Sequence, residues 1–261
     1  MKGFPITTAQ APQYTGALPE AVDLVVIGGG IIGICTALYA ARGGARVVVL
    51  EKGLVAAEQS SRNWGWIRQQ GRDPAEMPIM DEAQRLWQDL SRETNEDIGL
   101  VQAGVTYLAY TESRQRSFEK WLPHGKAQGL NSKLLGKAEL AAMYPDLADT
   151  PLAALHTASD WRAEPWVAVP ALAAIAAREG VQIIEHCAVR CLDIMNGKVS
   201  GVVTEKGRVA APRVVLAGGA WSALFLRNHG IALPQLSVRA QVAATVPLPD
   251  VGQAAGSARR V

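Results

Sequence analysis

The apolar and polar positions of this chain fall into short, wholly apolar runs, stripes of helical period and stretches that stay polar. Residues 24–27 are an unbroken apolar run, which suits a strand buried on both faces. Gly28, Gly30 and Gly33 follow, then a mostly apolar stretch over 31–42 that reads as a helix. Residues 46–50 read as a second strand, ending at Glu51. Strand, glycines, helix, strand and terminal acid in this order form a βαβ unit with G-x-G-x-x-G spacing, which points to a bound adenine dinucleotide. The first glycine permits a tight turn, the second lets backbone approach a pyrophosphate, and the third lets helix pack closely on strand. The opening helix amides, at Ile31 and Ile32, are placed to face phosphates. Glu51 is placed to accept from the ribose hydroxyls, with Lys52 beside it.

Downstream the pattern departs from a nicotinamide-type fold. A loop rich in Ser, Gly, Gln and Arg occupies 52–73, where a second α/β repeat would be due. Asp73-Pro74 then opens a helix whose apolar stripe runs through residue 98. A strand is expected over 105–110, a helix over 112–128 broken near Pro123, a short helix over 137–143 and a strand over 153–156. A turn over 160–165 leads to an Ala-rich helix over 166–179. Short strands are expected at 182–185, 188–195, 199–204, 208–210 and 213–216, with Asn196-Gly197 a hairpin signal between two of them. Gly218-Gly219-Ala220-Trp221-Ser222 makes a second strand–glycine–helix junction, suited either to meeting a cofactor or to packing alone. One more strand is expected over 236–246; residues 1–20 and the segment after Pro249 read as loose tails.

Composition narrows the function classes. A formal charge of +2 with no basic tract argues against a nucleic-acid partner. The apolar stretch over 22–50 is interrupted by glycines and two arginines, so no transmembrane segment is expected. Cys35, Cys187 and Cys191 lack disulfide or metal-pair spacing, and the four histidines are scattered. No metal site is expected, and the location expected is cytoplasmic, with a peripheral position at the inner face of the membrane as the variant.

Four blocks together carry a resemblance to a known family. They are the βαβ unit with Glu51, the run Ser60-Ser61-Arg62-Asn63-Trp64-Gly65-Trp66-Ile67-Arg68-Gln69-Gln70, Ala163-Glu164-Pro165 before a helix, and residues 214–222. Over roughly 21–246 the chain resembles the N-terminal part of FAD-dependent oxidoreductases of the D-amino-acid oxidase superfamily, which includes glycine and sarcosine oxidases and D-amino-acid dehydrogenases. The resemblance implies an α/β fold: a Rossmann-like FAD-binding domain with a parallel sheet, plus an incomplete α+β substrate domain with a mainly antiparallel sheet. The first would come from 21–101 and 160–230, the second from 102–159 and 231–261, after a flexible tail over 1–20.

Position by position, the resemblance sets Gly28, Gly30 and Gly33 against the pyrophosphate and Glu51 against the adenosine ribose. Ser60, Ser61, Arg62 and Asn63 would line the phosphate and flavin edge, Val189 would contact adenine through its backbone, and Ala217, Gly218 and Trp221 would lie along the FAD. Arg68 would meet the substrate carboxylate, and Trp66 would wall the pocket beside the flavin; packing of the loop is the competing role for both Trp64 and Trp66. Arg239 is a second arginine of interest. The implied activity is oxidation of an amino acid or related amine by hydride transfer from the α-carbon to flavin N5, giving an imine that water hydrolyses. The electron acceptor, whether oxygen, quinone or a carrier, is left open. Family members continue well past the strand expected at 236–246, so the chain reads as truncated. That raises the alternative of an inactive FAD-binding remnant, or of a subunit whose partner chain supplies the missing part.

Overall fold

The computed structural model describes residues 6, 10–95, 97–145, 147, 149, 151–238 and 255–258. In chain order the elements are β1 (Leu24–Ile27), α1 (Ile31–Arg42), β2 (Val47–Leu50), β3 (Trp66–Ile67), α2 (Met77–Glu93), β4 (Val105–Ala109), α3 (Glu112–Ala127), β5 (Ser132–Leu135) and α4 (Lys137–Met143). Then follow β6 (Ala153–Thr157), β7 (Trp161–Arg162), α5 (Pro165–Arg178), β8 (Gln182–Ile184), β9 (Val189–Met195), β10 (Lys198–Thr204), β11 (Gly207–Ala210), β12 (Val214–Leu216), α6 (Ser222–Arg227) and β13 (Ala255–Ala258). They divide into two compact units, the first drawn from Met1–Asn63, Glu93–Glu96 and Pro165–Val242, the second from Trp64–Arg92, Asp97–Glu164 and Ala243–Val261.

The first unit is built on a four-stranded parallel sheet in the order β12-β1-β2-β8. Every residue of β1 and β2 is buried, which is why these strands read as unbroken apolar runs rather than alternating ones. Val25, Ile27, Val48 and Leu50 share one cluster with Val202 and Val209 of the antiparallel β11-β10-β9 sheet. The Asn196-Gly197 hairpin joins β9 to β10, and both turn residues have positive φ.

Of the loose tail expected over 1–20, residues 1–5 and 7–9 lie outside the described residues, and the part from Gln13 differs from the expectation. From Gln13 onward it is docked on this unit. The Glu185 amide donates to the Tyr14 carbonyl at 3.0 Å, Thr15 bridges Ile184 in antiparallel fashion, and Ala210 donates to the Glu20 carbonyl at 2.9 Å. The buried Glu185 carboxylate accepts from the amides of Gln13, Tyr14 and Val55 at 2.6, 3.0 and 2.7 Å. A sheet edge and a buried carboxylate supply the hydrogen bonds; the segment's own composition carries no sign of them.

The second unit holds a sheet in the order β13-β4-β6-β5, with β4, β6 and β5 antiparallel and β13 parallel to β4. Leu108 and Ala154 pack with Leu140 of α4, whereas Ala109 and Leu155 pack with Phe118 of α3, so adjacent strand residues serve opposite faces. β3 and β7 pair separately, Trp66 opposite Arg162 and Ile67 opposite Trp161. The α/β class with a parallel sheet and separate antiparallel sheets is therefore the fold observed. No described helix is long and apolar enough to cross a membrane.

Several boundaries differ from the sequence reading. α3 runs unbroken through Pro123, where packing of Phe118, Trp121 and Leu122 on the sheet outweighs one lost backbone bond. α2 ends at Glu93 rather than near 98, and β5 and β3 were not anticipated. The Ala/Gly/Ser-rich segment expected to fray forms β13, because a ladder needs only backbone groups. Residues 236–238 lie outside any strand; Arg239 and the rest of the strand expected there lie outside the described residues.

Candidate functional site

β12, β1 and β2 run in parallel, so the loops that follow them gather beyond the same edge of the sheet, where open α/β sheets bind ligands. Gly28 has φ of +111°, and a β-carbon there would sit 2.5 Å from the Ala217 carbonyl oxygen. A β-carbon on Gly33 would strike the Gly28 carbonyl oxygen, so only glycine lets α1 start this close to β1. A β-carbon on Gly30 would meet the Ser60 hydroxyl at 2.9 Å, and that hydroxyl accepts from the Ile31 amide at 2.9 Å. Ser60 thus sits at the positive end of α1, the position suited to an anion. Ile32, in the first helical turn, is 66% exposed.

Glu51 is buried, and its carboxylate is oriented by two backbone amides. One oxygen accepts from Gly29 at 2.7 Å and the other from Gly53 at 2.8 Å. The Glu51 main chain is fixed as well, its amide donating to Ile184 and its carbonyl accepting from Cys187 at 2.8 Å. Val189, two residues beyond Cys187, opens β9 and packs partly buried against the adjoining core. The Ala217 amide donates to the Ile27 carbonyl at 2.8 Å, which sets the Gly218 turn beside the Gly28 turn.

Lys52 reaches Glu58 at 2.9 Å and lies 3.9 Å from the centroid of the Trp221 ring. Arg62 approaches the other Glu58 oxygen at 3.6 Å, the Ser61 hydroxyl bonds the Glu58 carbonyl, and the Asn63 amide donates to the Gln59 carbonyl at 2.9 Å. The structure thus brings Gly28, Gly30, Ile31, Gly33, Glu51, Ser60, Ala217 and Gly218 to one rim. The side chains of Ser61, Arg62 and Asn63 are used within their own loop. Glu58, which holds Lys52 and Arg62 together, was missed by sequence reasoning; its i,i+4 spacing from Arg62 was the available signal.

In the second unit, Trp66 and Arg68 meet at Tyr107. The Trp66 and Tyr107 rings lie 5.7 Å apart, the Trp64 ring is tilted by 60° against Trp66 with centroids 5.0 Å apart, and the Arg68 guanidinium is 5.4 Å from the Tyr107 centroid. Arg68 also donates to the Gln70 carbonyl. It is half-buried, and that burial lowers its pKa. Below it, Asp160 is fully buried and accepts from the Gln69 and Gln70 amides at 2.8 and 3.1 Å and from Gln84 at 3.2 Å. Burial pushes the Asp160 carboxyl up despite those donors. Tyr107 and Asp160 are the residues that sequence reasoning passed over: strand alternation could not say which face of β4 carried the Arg68 cluster. Among the described residues no group of His, Cys, Asp and Glu side chains could hold a metal ion, and the three cysteines are free.

Residues 23–260 match the family model for FAD dependent oxidoreductases, DAO. Human mitochondrial sarcosine dehydrogenase is 29% identical over 88% of this chain and 26% of its own length. Glycine oxidase of Geobacillus kaustophilus is 31% identical over 87% of this chain and 63% of its own. The structure of L-amino acid deaminase from Proteus myxofaciens, in complex with anthranilate, superposes with a TM-score of 0.79 at 34% identity, covering 86% of this chain and 51% of that one. The chain thus spans less than two thirds of each of these relatives, and it belongs to the DAO family of FAD-dependent oxidoreductases.

Proposed function

We propose that this chain binds FAD at the rim formed by Gly28, Gly30, Gly33, Glu51 and Ser60, and that it serves the oxidation of an amino acid or related amine. The carrying observation is the Glu51 carboxylate: each oxygen takes one backbone amide and keeps lone-pair capacity for a sugar hydroxyl. The close glycine approaches and the Ser60 hydroxyl at the start of α1 fit the neighbouring diphosphate. Ile31 and Ile32 would offer amides to the phosphates, with Lys52, Ser61, Arg62, Asn63, Ala217, Gly218 and Trp221 along the cofactor and Val189 near adenine. The first unit would be the FAD-binding domain, and the second part of a substrate domain.

The flavin would supply the acceptor for a hydride from the substrate α-carbon. The protein's own contribution would be orientation. Arg68 would bind the substrate carboxylate bidentately, and Trp66 would wall the pocket and exclude water. The resulting imine would hydrolyse in water. A reducing, cytoplasmic location agrees with three free cysteines.

The test is to load the chain with FAD and mix it anaerobically with L- and D-amino acids, sarcosine and proline, following flavin absorbance. Bleaching by one of these classes is expected; a flavin that stays oxidised with all of them overturns the oxidative reading. A second reading, an FAD-binding part of a larger flavoenzyme that does not turn over alone, rests on the share of its relatives' length that the chain spans. It predicts FAD binding without bleaching until a partner chain is added.

A further inference from the structure

We propose that the Arg68 cluster is one end of a two-carboxylate site whose other end is Arg114, so that the amine substrate is a dicarboxylate. The proposal rests on the reading of Arg68 as the ligand of the first carboxylate. Both guanidiniums address one aromatic ring: Arg68 lies 5.4 Å and Arg114 5.9 Å from the Tyr107 centroid, and Arg114 also sits 4.8 Å from that of Phe118. Neither has a carboxylate within ion-pair distance among the described residues. Arg42, Arg46, Arg85, Arg190 and Arg208, by contrast, each hold an Asp or a Glu.

An independent observation points to an occupant. Gln70 is fully buried, and neither its amide nitrogen nor its amide oxygen has a hydrogen-bond partner. The Nε of Arg72 is buried without a partner as well. Buried polar groups left unpaired are costly and rare, so two within five residues of Arg68 mark a place where a polar ligand completes the bonding. Gly71, with φ of +69°, makes the turn between them, and a β-carbon there would come within 3.3 Å of the Tyr107 ring. Burial grades across the cluster, from Gln70 fully buried through Arg68 half-buried to Arg114 exposed. Around Tyr107 the guanidiniums of Arg68, Arg72 and Arg114 outnumber the carboxylates of Asp160, which already accepts from Gln69, Gln70 and Gln84, and of Glu76, which pairs with Arg72. The surplus positive charge draws an anion inward and leaves a second anionic group at the rim.

Calorimetric titration with glutarate and butyrate, run on the chain with and without FAD, tests the proposal without turnover. Glutarate is expected to bind roughly tenfold or more tightly than butyrate, the gain of one charge-assisted pair. Arg114→Gln should abolish the preference, bringing the two ligands to within roughly threefold, with circular dichroism confirming that the fold is retained, as expected at an exposed position. Arg68→Gln should weaken both. A wild type with no preference for glutarate, a preference that survives Arg114→Gln, or no binding of either ligand overturns the proposal. An Arg68→Gln variant that retains its butyrate affinity instead removes the reading of Arg68 on which the proposal stands.

Discussion

The Lys52 ammonium rests 3.9 Å from the centre of the Trp221 ring. Lys52 follows β2 and Trp221 follows β12, and β1 lies between these strands, so the contact links two loops beyond the carboxyl end of β1. A cation over an indole face contributes roughly 0.5–2 kcal/mol, depending on how far it is desolvated. On the proposed reading, a dinucleotide seated on the Gly28–Gly33 turn would lie beside that link and be held by it. Lys52→Met should therefore speed FAD release roughly threefold to tenfold, read as the return of flavin fluorescence after dilution. An unchanged release rate would show that the link plays no part in retention.

Glu51→Gln keeps the side-chain shape but loses the charge and one acceptor. The amides of Gly29 and Gly53 then compete for a single oxygen, and the ribose contact weakens. A loss of roughly 10- to 100-fold in FAD affinity is expected, in line with a charge-assisted hydrogen bond. Fluorescence titration checks it, with circular dichroism confirming that the fold is retained.

Gly33→Ala tests the close approach of α1 to β1. The added methyl would strike the Gly28 carbonyl oxygen, a backbone atom that cannot swing aside. The cost expected is roughly 1–3 kcal/mol or more, as for overpacked cores. Thermal unfolding should show a lowered midpoint together with weakened FAD binding; a variant that melts and binds like wild type would contradict the geometry.

The glycine turn between β1 and α1 was the most legible part of the molecule because backbone geometry alone imposes its residues. Gly28 and Gly33 face main-chain atoms that no side chain could share space with, and a strand buried on both faces must be apolar. The docking of residues 13–20 and the pairing of β13 with β4 were not legible, since their bonds run between main-chain groups and would suit almost any side chains. The Arg68 cluster was half legible. Arg68 and Trp66 stood out by type and position, but Tyr107 and Asp160 join them through chain crossings that no local pattern encodes.

His156 provides a pH-dependent test of the second unit. Its ring nitrogen Nδ1 lies 2.9 Å from the Thr106 hydroxyl, which also accepts from Tyr144. Burial, reinforced by nearby Lys133, holds its pKa below the ordinary 6.5. Below that value the unfolded chain takes up a proton that the folded chain refuses, so stability declines as pH falls from 6.5 toward the folded-state value. Melting temperatures followed from about pH 7.5 to about pH 5.5 should drop more steeply for wild type than for His156→Gln. Parallel curves would remove His156 from the acid response.

One titration bears most directly on FAD binding at the Glu51 rim: FAD added to the folded chain in a calorimeter, with the visible spectrum recorded alongside. Saturable binding of one FAD per chain, weakened in Glu51→Gln, is the result predicted. Folded protein that gives no heat with FAD and stays colourless would contradict it.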